Sequence, residues 1–355
     1  MNFTLFGYPK TGKTTLFNLL TGAKIEVSAF EEGKKEPILR TCSIPDPRLE
    51  KIWTLYPDKK KIPATIDFTD LAGISFGEVK SSAYLSYLRQ ADGLTHVVRG
   101  FLDIQIPHPK GKISPEDDIR SMEEELILAD MVSIESRLEK LEKELKRKKS
   151  PEGEKELLER LRSPLEEGKG IREISFAPSE EKLLSSFKFL SQKPLLHMVN
   201  VDEKDIPLIE NPEKFCPLQK EGTNILAFCG KIEMEILELE EEEKESFLAE
   251  YELKELSISK FLKASYSLLK AMTFFTIGKE EVKAWTIKEN TQAAQAAGTI
   301  HSDLEKGFIR AEVISWEELV LHSSFHAAKE KGAIRLEGKD YIVQDGDVIY
   351  FRFAP

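Results

Sequence analysis

The chain has 355 residues, a formal net charge of −11 and 32% charged residues. This length predicts two or three domains with a sizeable core. The acidic balance excludes a general binder of polyanions, although local basic faces remain possible.

The cysteines and the apolar runs lead to an expectation about the compartment. Cys42, Cys216 and Cys229 are scattered and show no C-x-x-C spacing, so we expect free thiols in a reducing environment. No apolar run approaches the roughly 18 residues of a membrane span. The first motif also begins too early to leave room for a signal peptide. The sequence therefore predicts a cytoplasmic protein that does not act in a membrane.

A phosphate-binding loop of the form G-x-x-x-x-G-K-[ST] occupies residues 7–14. In such a loop the backbone N–H groups wrap the phosphates, Lys13 reaches the β and γ oxygens, and the Thr14 hydroxyl ligates Mg²⁺. The apolar residues 2–6 predict a strand before the loop, and residues 15–20 predict a helix whose N-terminus faces the phosphates. The predicted phosphate-binding residues are Tyr8, Pro9, Lys10, Thr11, Gly12, Lys13, Thr14 and Thr15.

A second nucleotide element follows about sixty residues later, where the apolar strand 64–69 ends in Asp-x-x-Gly. Asp70 is placed to hold the Mg²⁺ through water, and the N–H of Gly73 is placed to sense a γ-phosphate. The next residue is Ile74, which cannot orient water. The catalytic group must therefore come from another part of the chain.

The third element, after the apolar strand 195–199, is expected to contact the base. It reads Asn-Val-Asp-Glu and lacks the Lys and the Asp placement of the guanine-specific N-K-x-D sequence. An Asn amide or a backbone group can pair with adenine, whereas a carboxylate facing adenine N1 would be repelled. We therefore place Asn200, Val201 and Glu203 in an ATP site.

A further strand, 224–228, leads into Cys229 and Gly230. From there a loop could cover the base, and we include both residues among the predicted nucleotide contacts. An ordinary strand-to-helix turn is an equally good interpretation.

Leucine spacing predicts two amphipathic helices between residues 116 and 190. Apolar residues recur at intervals of three and four from 134 to 145 and from 157 to 165, so the two helices can pack as an antiparallel hairpin with its turn at 150–153. Near that turn stand Lys140, Lys143, Lys146, Arg147, Lys148 and Lys149. They are either a solvated helix face or an RNA-contacting tip.

From about residue 273 the chain alternates like a sheet and fits a ubiquitin-like β-grasp. Its charge is mixed and forms no basic stripe. RNA binding by this region therefore has no support from electrostatics.

These elements, in this order, resemble the Obg-like ATPases of the YchF family. The stretches that carry the resemblance are residues 7–17, 45–49, 70–73, 91–99, 200–203 and 301–313. The resemblance implies hydrolysis of ATP in preference to GTP, a helical insertion, a C-terminal TGS domain, and association with ribosomes or ribosomal RNA through the hairpin and the TGS domain.

The predicted fold is thus an α/β protein built on a P-loop NTPase G-domain with a mostly parallel sheet. That domain takes residues 1–115 and 191–272, the antiparallel α-helical hairpin is inserted at 116–190, and a β-grasp domain of the TGS type takes 273–355.

Two residues depart from the family pattern. Relatives commonly have Asn at the position of Lys10. In related hydrolases such an Asn helps to bind an activating K⁺ ion, and Lys10 could supply that charge itself. Relatives also have a Thr that completes the Mg²⁺ shell where this chain has Lys34, and an ammonium cannot ligate Mg²⁺. With Lys34 and Ile74 in these places, we expect slow turnover.

His108 is the candidate catalytic residue. It lies in a Pro- and Gly-bearing loop after the strand near residues 97–98, where YchF relatives carry a histidine proposed to act in hydrolysis. An imidazole can accept a proton from water near neutral pH. The alternative is a surface histidine in a linker.

Three functions therefore remain open: an ATPase switch acting on the ribosome, a nucleotide-binding module that hydrolyses poorly, and a GTPase of ordinary specificity. The sequence does not decide the oligomeric state.

Overall fold

The computed structural model describes residues 1–25, 36–73, 82–145, 153–217 and 222–354. Its strands are β1 (Asn2–Phe6), β2 (Ile38–Ser43), β3 (Lys60–Ile62), β4 (Thr65–Asp70), β5 (Gly93–Gly100), β6 (Leu195–Val201), β7 (Thr223–Phe228), β8 (Ala271–Ile277), β9 (Glu281–Lys288), β10 (Phe308–Ser315), β11 (Arg335–Glu337) and β12 (Asp347–Phe353). Among these residues no helix is both long and apolar enough to cross a membrane.

The helices alternate with these strands in the first part of the chain. They are α1 (Lys13–Thr21), α2 (Pro47–Thr54), α3 (Ser82–Gln90), α4 (Pro115–Leu145), α5 (Glu154–Glu166), α6 (Pro178–Leu184), α7 (Gly230–Glu238), α8 (Glu241–Glu250), α9 (Ser257–Leu268), α10 (Ala293–Ile300), α11 (Ser302–Lys306), α12 (Trp316–His322) and α13 (Phe325–Glu330).

The residues fall into two compact units. The larger takes Asn2–Arg40 and Phe68–Leu268, and the smaller takes Met1, Thr41–Asp67 and Leu269–Pro355. Spatial clustering therefore groups residues 41–67 with the C-terminal strands, whereas the sequence analysis assigned them to the first part of the G-domain. The predicted domain boundaries themselves remain a prediction.

The larger unit is built on a sheet with the strand order β2-β4-β1-β5-β6-β7. The pairs β1/β5, β5/β6 and β6/β7 are all parallel, as predicted for a G-domain. Because β1 lies between β4 and β5, the chain order reverses at β1. In sheets of this kind ligands bind at such a reversal, beyond the carboxyl ends of the strands.

The leucines that predicted the helical insertion form its core. Ile134, Leu138 and Leu141 of α4 share one buried cluster with Leu157, Leu158, Leu161 and Leu165 of α5. An ion pair joins Arg137 to Glu154 at 2.6 Å, and another joins Glu135 to Arg162 at 2.9 Å. These contacts hold the two predicted amphipathic helices side by side.

The smaller unit is a mixed sheet with the order β11-β10-β12-β8-β9-β3. An antiparallel hairpin, β8/β9, lies beside β12, which pairs parallel with β8 and antiparallel with β10. Helix α10 packs on this sheet through Ala293, Ala296 and Ala297. A hairpin, a crossing helix and a parallel central pair make up the predicted β-grasp.

Two of the family-like stretches have structural roles in this unit. Asp46 caps α2 by accepting the Arg48 N–H at 2.9 Å, and the Arg48 guanidinium contacts Asp345 at 2.7 Å. In the segment 301–313, the buried carboxylate of Glu312 accepts from Lys329 at 3.0 Å and from Arg352 at 2.7 Å. Both stretches therefore hold the smaller unit together.

Candidate functional site

The phosphate-binding loop lies where the motif predicts, between the end of β1 and the first residue of α1. Gly7 and Gly12 have φ values of 142° and 97°, which side chains rarely adopt. A Cβ at Gly12 would lie 2.2 Å from Nδ2 of Asn200. The two glycines are therefore required both by the backbone conformation and by the space around the loop.

Lys13 is held inside this loop. Its Nζ donates to the Tyr8 carbonyl at 2.7 Å and to the Gly7 carbonyl at 3.4 Å, and the side chain is buried. Burial lowers the pKa of Lys13 to about 8, and the nearby Asp70 carboxylate opposes this shift. The loop thus surrounds its cation with oxygens at the place where phosphate oxygens would bind.

Thr14 and Asp70, the predicted metal ligands, are in contact. The Thr14 hydroxyl donates to Oδ2 of Asp70 at 2.9 Å, and Asp70 is the last residue of β4. A hydroxyl and a carboxylate are hard oxygen ligands, and Mg²⁺ typically takes one or two such groups together with waters and substrate phosphates. The residues present therefore fit Mg²⁺.

Gly73 lies against the same loop. A Cβ at this position would come within 2.5 Å of the Pro9 Cα and 3.1 Å of the Lys13 Nζ. The close approach brings the backbone of Gly73 next to the predicted γ-phosphate position. Larger side chains there would push the two segments apart.

Asn200 joins the phosphate loop to the predicted base loop. Its Nδ2 donates to the Thr11 carbonyl at 3.2 Å, and its Oδ1 accepts the Gly230 N–H at 3.0 Å. An amide has two N–H donors, so one hydrogen on Nδ2 is left for a ligand. Asn200 therefore has a structural role in addition to the predicted contact with a base.

A cavity of about 1010 Å³ opens beside Asn200. Its lining includes the predicted residues Lys10, Gly12, Thr15, Asn200, Val201, Glu203, Cys229 and Gly230, together with Phe101–Ile106, Asp202, Lys231, Met234 and Glu235. Cys229 occupies the N-cap position of helix α7, which begins at Gly230, and its side chain makes no capping hydrogen bond. These two residues therefore form a strand-to-helix turn that lines the cavity, and their contact with a base stays a prediction.

The side chains of two residues of the phosphate loop, Lys10 and Tyr8, have surroundings that the motif does not predict. Lys10 is exposed and has a φ of 59°, a left-handed conformation in which Asn is enriched and Lys is not. The Tyr8 ring is buried, and the Nζ of Lys110 lies 5.3 Å from its centre. Tyr8 therefore contributes its backbone to the loop and its side chain to the packing behind it.

The His108 side chain is not exposed. Among the described residues, no contact joins it to Lys13. The ring is buried, its Nε2 lies 2.9 Å from Oδ2 of Asp118, and its Nδ1 accepts the Lys110 N–H at 3.2 Å. It packs edge-on against Tyr8 with the ring centres 6.4 Å apart. Thus the surface-linker alternative does not describe this side chain.

Sequence reasoning identified the loop after β5 but missed that its first residues line the cavity and that an arginine supports it. Arg99, almost fully buried on β5, donates to the carbonyls of Phe101 at 3.1 Å and Asp103 at 3.3 Å. Its guanidinium also lies 4.7 Å from the Phe101 ring centre. A charged residue inside an apolar strand could have indicated this role.

Some sequence predictions lie outside the described residues. They concern Ile74, Lys34, the turn residues 150–152, and the basic residues Lys146, Arg147, Lys148 and Lys149. Lys140 and Lys143, which are described, lie on α4.

Comparison with known proteins gives the same assignment along the chain. A family model described as "50S ribosome-binding GTPase" matches residues 2–148, and the C-terminal model of YchF-type GTPases, described as a protein of unknown function, matches residues 271–354. The "Ribosome-binding ATPase YchF" of Bacillus subtilis is 42% identical, with 98% of both chains covered. The "Obg-like ATPase 1" of Oryza sativa is 35% identical and covers 98% of this chain and 91% of its own length.

A solved structure agrees with these relatives. The YchF GTPase of Schizosaccharomyces pombe superposes with a TM-score of 0.83 at 27% identity, covering 99% of this chain and 97% of that one. The chain therefore belongs to the YchF family of P-loop nucleotide hydrolases.

Proposed function

We propose that the chain binds and slowly hydrolyses ATP with Mg²⁺, and that the state of the nucleotide controls how the helical hairpin and the C-terminal β-grasp unit contact a ribosome. The observation that carries the catalytic part is the arrangement of Lys13, Thr14 and Asp70 around one loop. Relatives named as ribosome-binding ATPases support the partner. This activity would place the chain in the cytoplasm.

Each group has a distinct task in this proposal. Lys13 exchanges the carbonyls of Tyr8 and Gly7 for β and γ oxygens, and Gly73 donates its N–H to the γ-phosphate. Thr14 and Asp70 would hold Mg²⁺, which neutralises charge that develops on the phosphates. His108 orients the attacking water or accepts its proton.

We expect ATP to bind about tenfold or more tightly than GTP, because guanine donors would lose a partner and an unpaired buried donor costs roughly 1–3 kcal/mol. Asp202 lines the cavity, but its Oδ1 accepts the Glu203 N–H at 2.9 Å and caps the turn Glu203–Leu208. Titration of the protein with fluorescent ATP and GTP analogues in Mg²⁺ measures both dissociation constants.

Inorganic tripolyphosphate is the control ligand, since it carries no base and should displace both analogues with one and the same dissociation constant. Equal or tighter binding of GTP would contradict ATP preference. It would favour an ordinary GTPase, a function named for one matching family model and for the S. pombe structure.

Affinity for Mg²⁺-ATP should be nearly constant from about pH 7 to about pH 8 and fall about tenfold per pH unit above it. In the free protein burial lowers the pKa of Lys13 to about 8. Only the ammonium form of Lys13 can form an ion pair with a phosphate. Above that pH the free lysine is neutral, so binding must take up a proton. A flat dissociation constant from about pH 7 to about pH 10, measured by titration, would contradict this role of Lys13.

A nucleotide-binding module without hydrolysis is the remaining candidate. A turnover assay with Mg²⁺-ATP and the purified chain distinguishes it from the proposed ATPase. Release of phosphate that disappears in Lys13→Ala supports the ATPase, whereas tight binding without phosphate release supports the module.

A further inference from the structure

The loop that carries His108 is fastened to the first turn of helix α4. Asp118, in that turn, is 1% exposed, and its Oδ2 lies 2.9 Å from Nε2 of His108. Its Oδ1 lies 3.2 Å from Nζ of Lys110. We call His108, Lys110 and Asp118 the latch.

Neither ring nitrogen of His108 is available to water in this arrangement. Nδ1 accepts the Lys110 N–H, so the proton of the neutral ring is on Nε2, which faces Asp118. The side chain is only 3% exposed. A general base must reach the proton that it takes, directly or through one water, and a ring enclosed in this way cannot.

Lys110 fixes the same loop to α4 and to the back of the phosphate loop. Its Nζ donates to the Ser121 hydroxyl at 2.7 Å and to the Asp117 carbonyl at 3.2 Å, and it lies over the Tyr8 ring. The His108–Asp118 contact is different, because it is close without meeting the angular criteria of a hydrogen bond. A poorly aligned contact is weaker than a linear hydrogen bond, so it opens at lower cost.

We propose that Asp118 is a positioning residue that holds His108 in a retracted, inactive place, and that ATP hydrolysis proceeds when the latch opens. The inference rests on the proposed ATPase function and adds its regulation. Helix α4 runs from the latch over 31 residues into the helical hairpin, a length of ~46 Å. A ribosomal contact on the hairpin would thus act on the element that carries Asp118.

Accessibility of His108 tests the latch without any hydrolysis. Asp118→Asn is nearly isosteric but removes the charge, so diethyl pyrocarbonate should modify His108 about tenfold faster than in the unsubstituted chain, as measured by mass spectrometry. Glu116→Gln is the matched control, because it removes an exposed charge of the same helical turn that pairs with Arg120. It should leave the rate unchanged.

Turnover gives the second test. Asp118→Asn should raise kcat severalfold at constant KM, and the increase should vanish in a His108→Ala background. Asp118→Ala must act in the same direction, and the melting temperature of each variant shows whether it folds.

Two results would overturn the latch. One is an unchanged modification rate in both Asp118 variants that fold. The other is a fall in kcat that is absent in the His108→Ala background, since Asp118 would then assist a working histidine. If the chain hydrolyses no ATP at all, the proposed function fails, while the modification rates still decide whether Asp118 retains His108.

Discussion

Lys13→Ala should abolish measurable nucleotide binding, with a loss of about a hundredfold or more in affinity for ATP and GTP alike. The ammonium is the only charge that the motif directs at the β and γ oxygens, and truncating one partner of a buried charged pair typically costs roughly 2–5 kcal/mol. Fluorescent nucleotide titration of the purified variant measures the effect.

The free protein also depends on this side chain, because Lys13 bonds the carbonyls of Tyr8 and Gly7. Its thermal unfolding must therefore be recorded, so that lost binding is not confused with lost folding. Lys24→Ala is the matched control, as Lys24 is exposed just beyond α1. Binding within a factor of about three of the original in folded Lys13→Ala would contradict the assigned phosphate site.

The phosphate loop and Asp70 could be predicted from the sequence because each depends on a short local pattern. The spacing in residues 7–14 determines a strand, a turn and a helix in one segment, and the structure has all three. Asp70 follows from the end of an apolar strand. A site that is formed by residues close together in the sequence can therefore be predicted from the sequence alone.

Asn200 and residues 41–67 show what the sequence does not record. The amide of Asn200 bonds Thr11, which is 189 residues away, so no local pattern could indicate that it joins two loops. Strand β3 pairs with β9, and Leu49 and Ile52 of α2 pack with Phe275 in one core. The sequence shows that Leu49 and Ile52 are apolar, but it does not show which distant strand they or β3 meet.

For His108, one feature was predictable from the local sequence and another was not. Its loop was predicted correctly to follow β5, since Pro107, Pro109 and Gly111 disfavour regular structure. Its burial was not predicted, because that depends on a carboxylate ten residues later on a helix. A histidine, a lysine and an aspartate at these spacings form no known motif, and only the fold brings them together.

His108→Ala should lower kcat at least tenfold and leave the affinity for ATP nearly unchanged. A positioned acid or base typically contributes roughly 10²- to 10⁴-fold, and the described contacts of His108 are to Asp118, Lys110 and Tyr8 rather than to the Lys13 side chain or the Thr14–Asp70 pair. Only molecules in which the latch is open hydrolyse ATP. His108→Ala therefore lowers kcat even if His108 is retracted in most molecules. Single-turnover phosphate release and nucleotide titration separate the two quantities.

His326→Ala is the matched control, because His326 is 85% exposed at its side chain and belongs to the other compact unit. It should leave kcat unchanged. His108→Gln provides a finer comparison, since an amide can orient water but cannot accept its proton at neutral pH. Partial recovery of turnover in His108→Gln would assign orientation to His108, and no recovery would assign proton transfer. Unchanged turnover in His108→Ala would contradict a catalytic role and leave the histidine as packing between α4 and the phosphate loop.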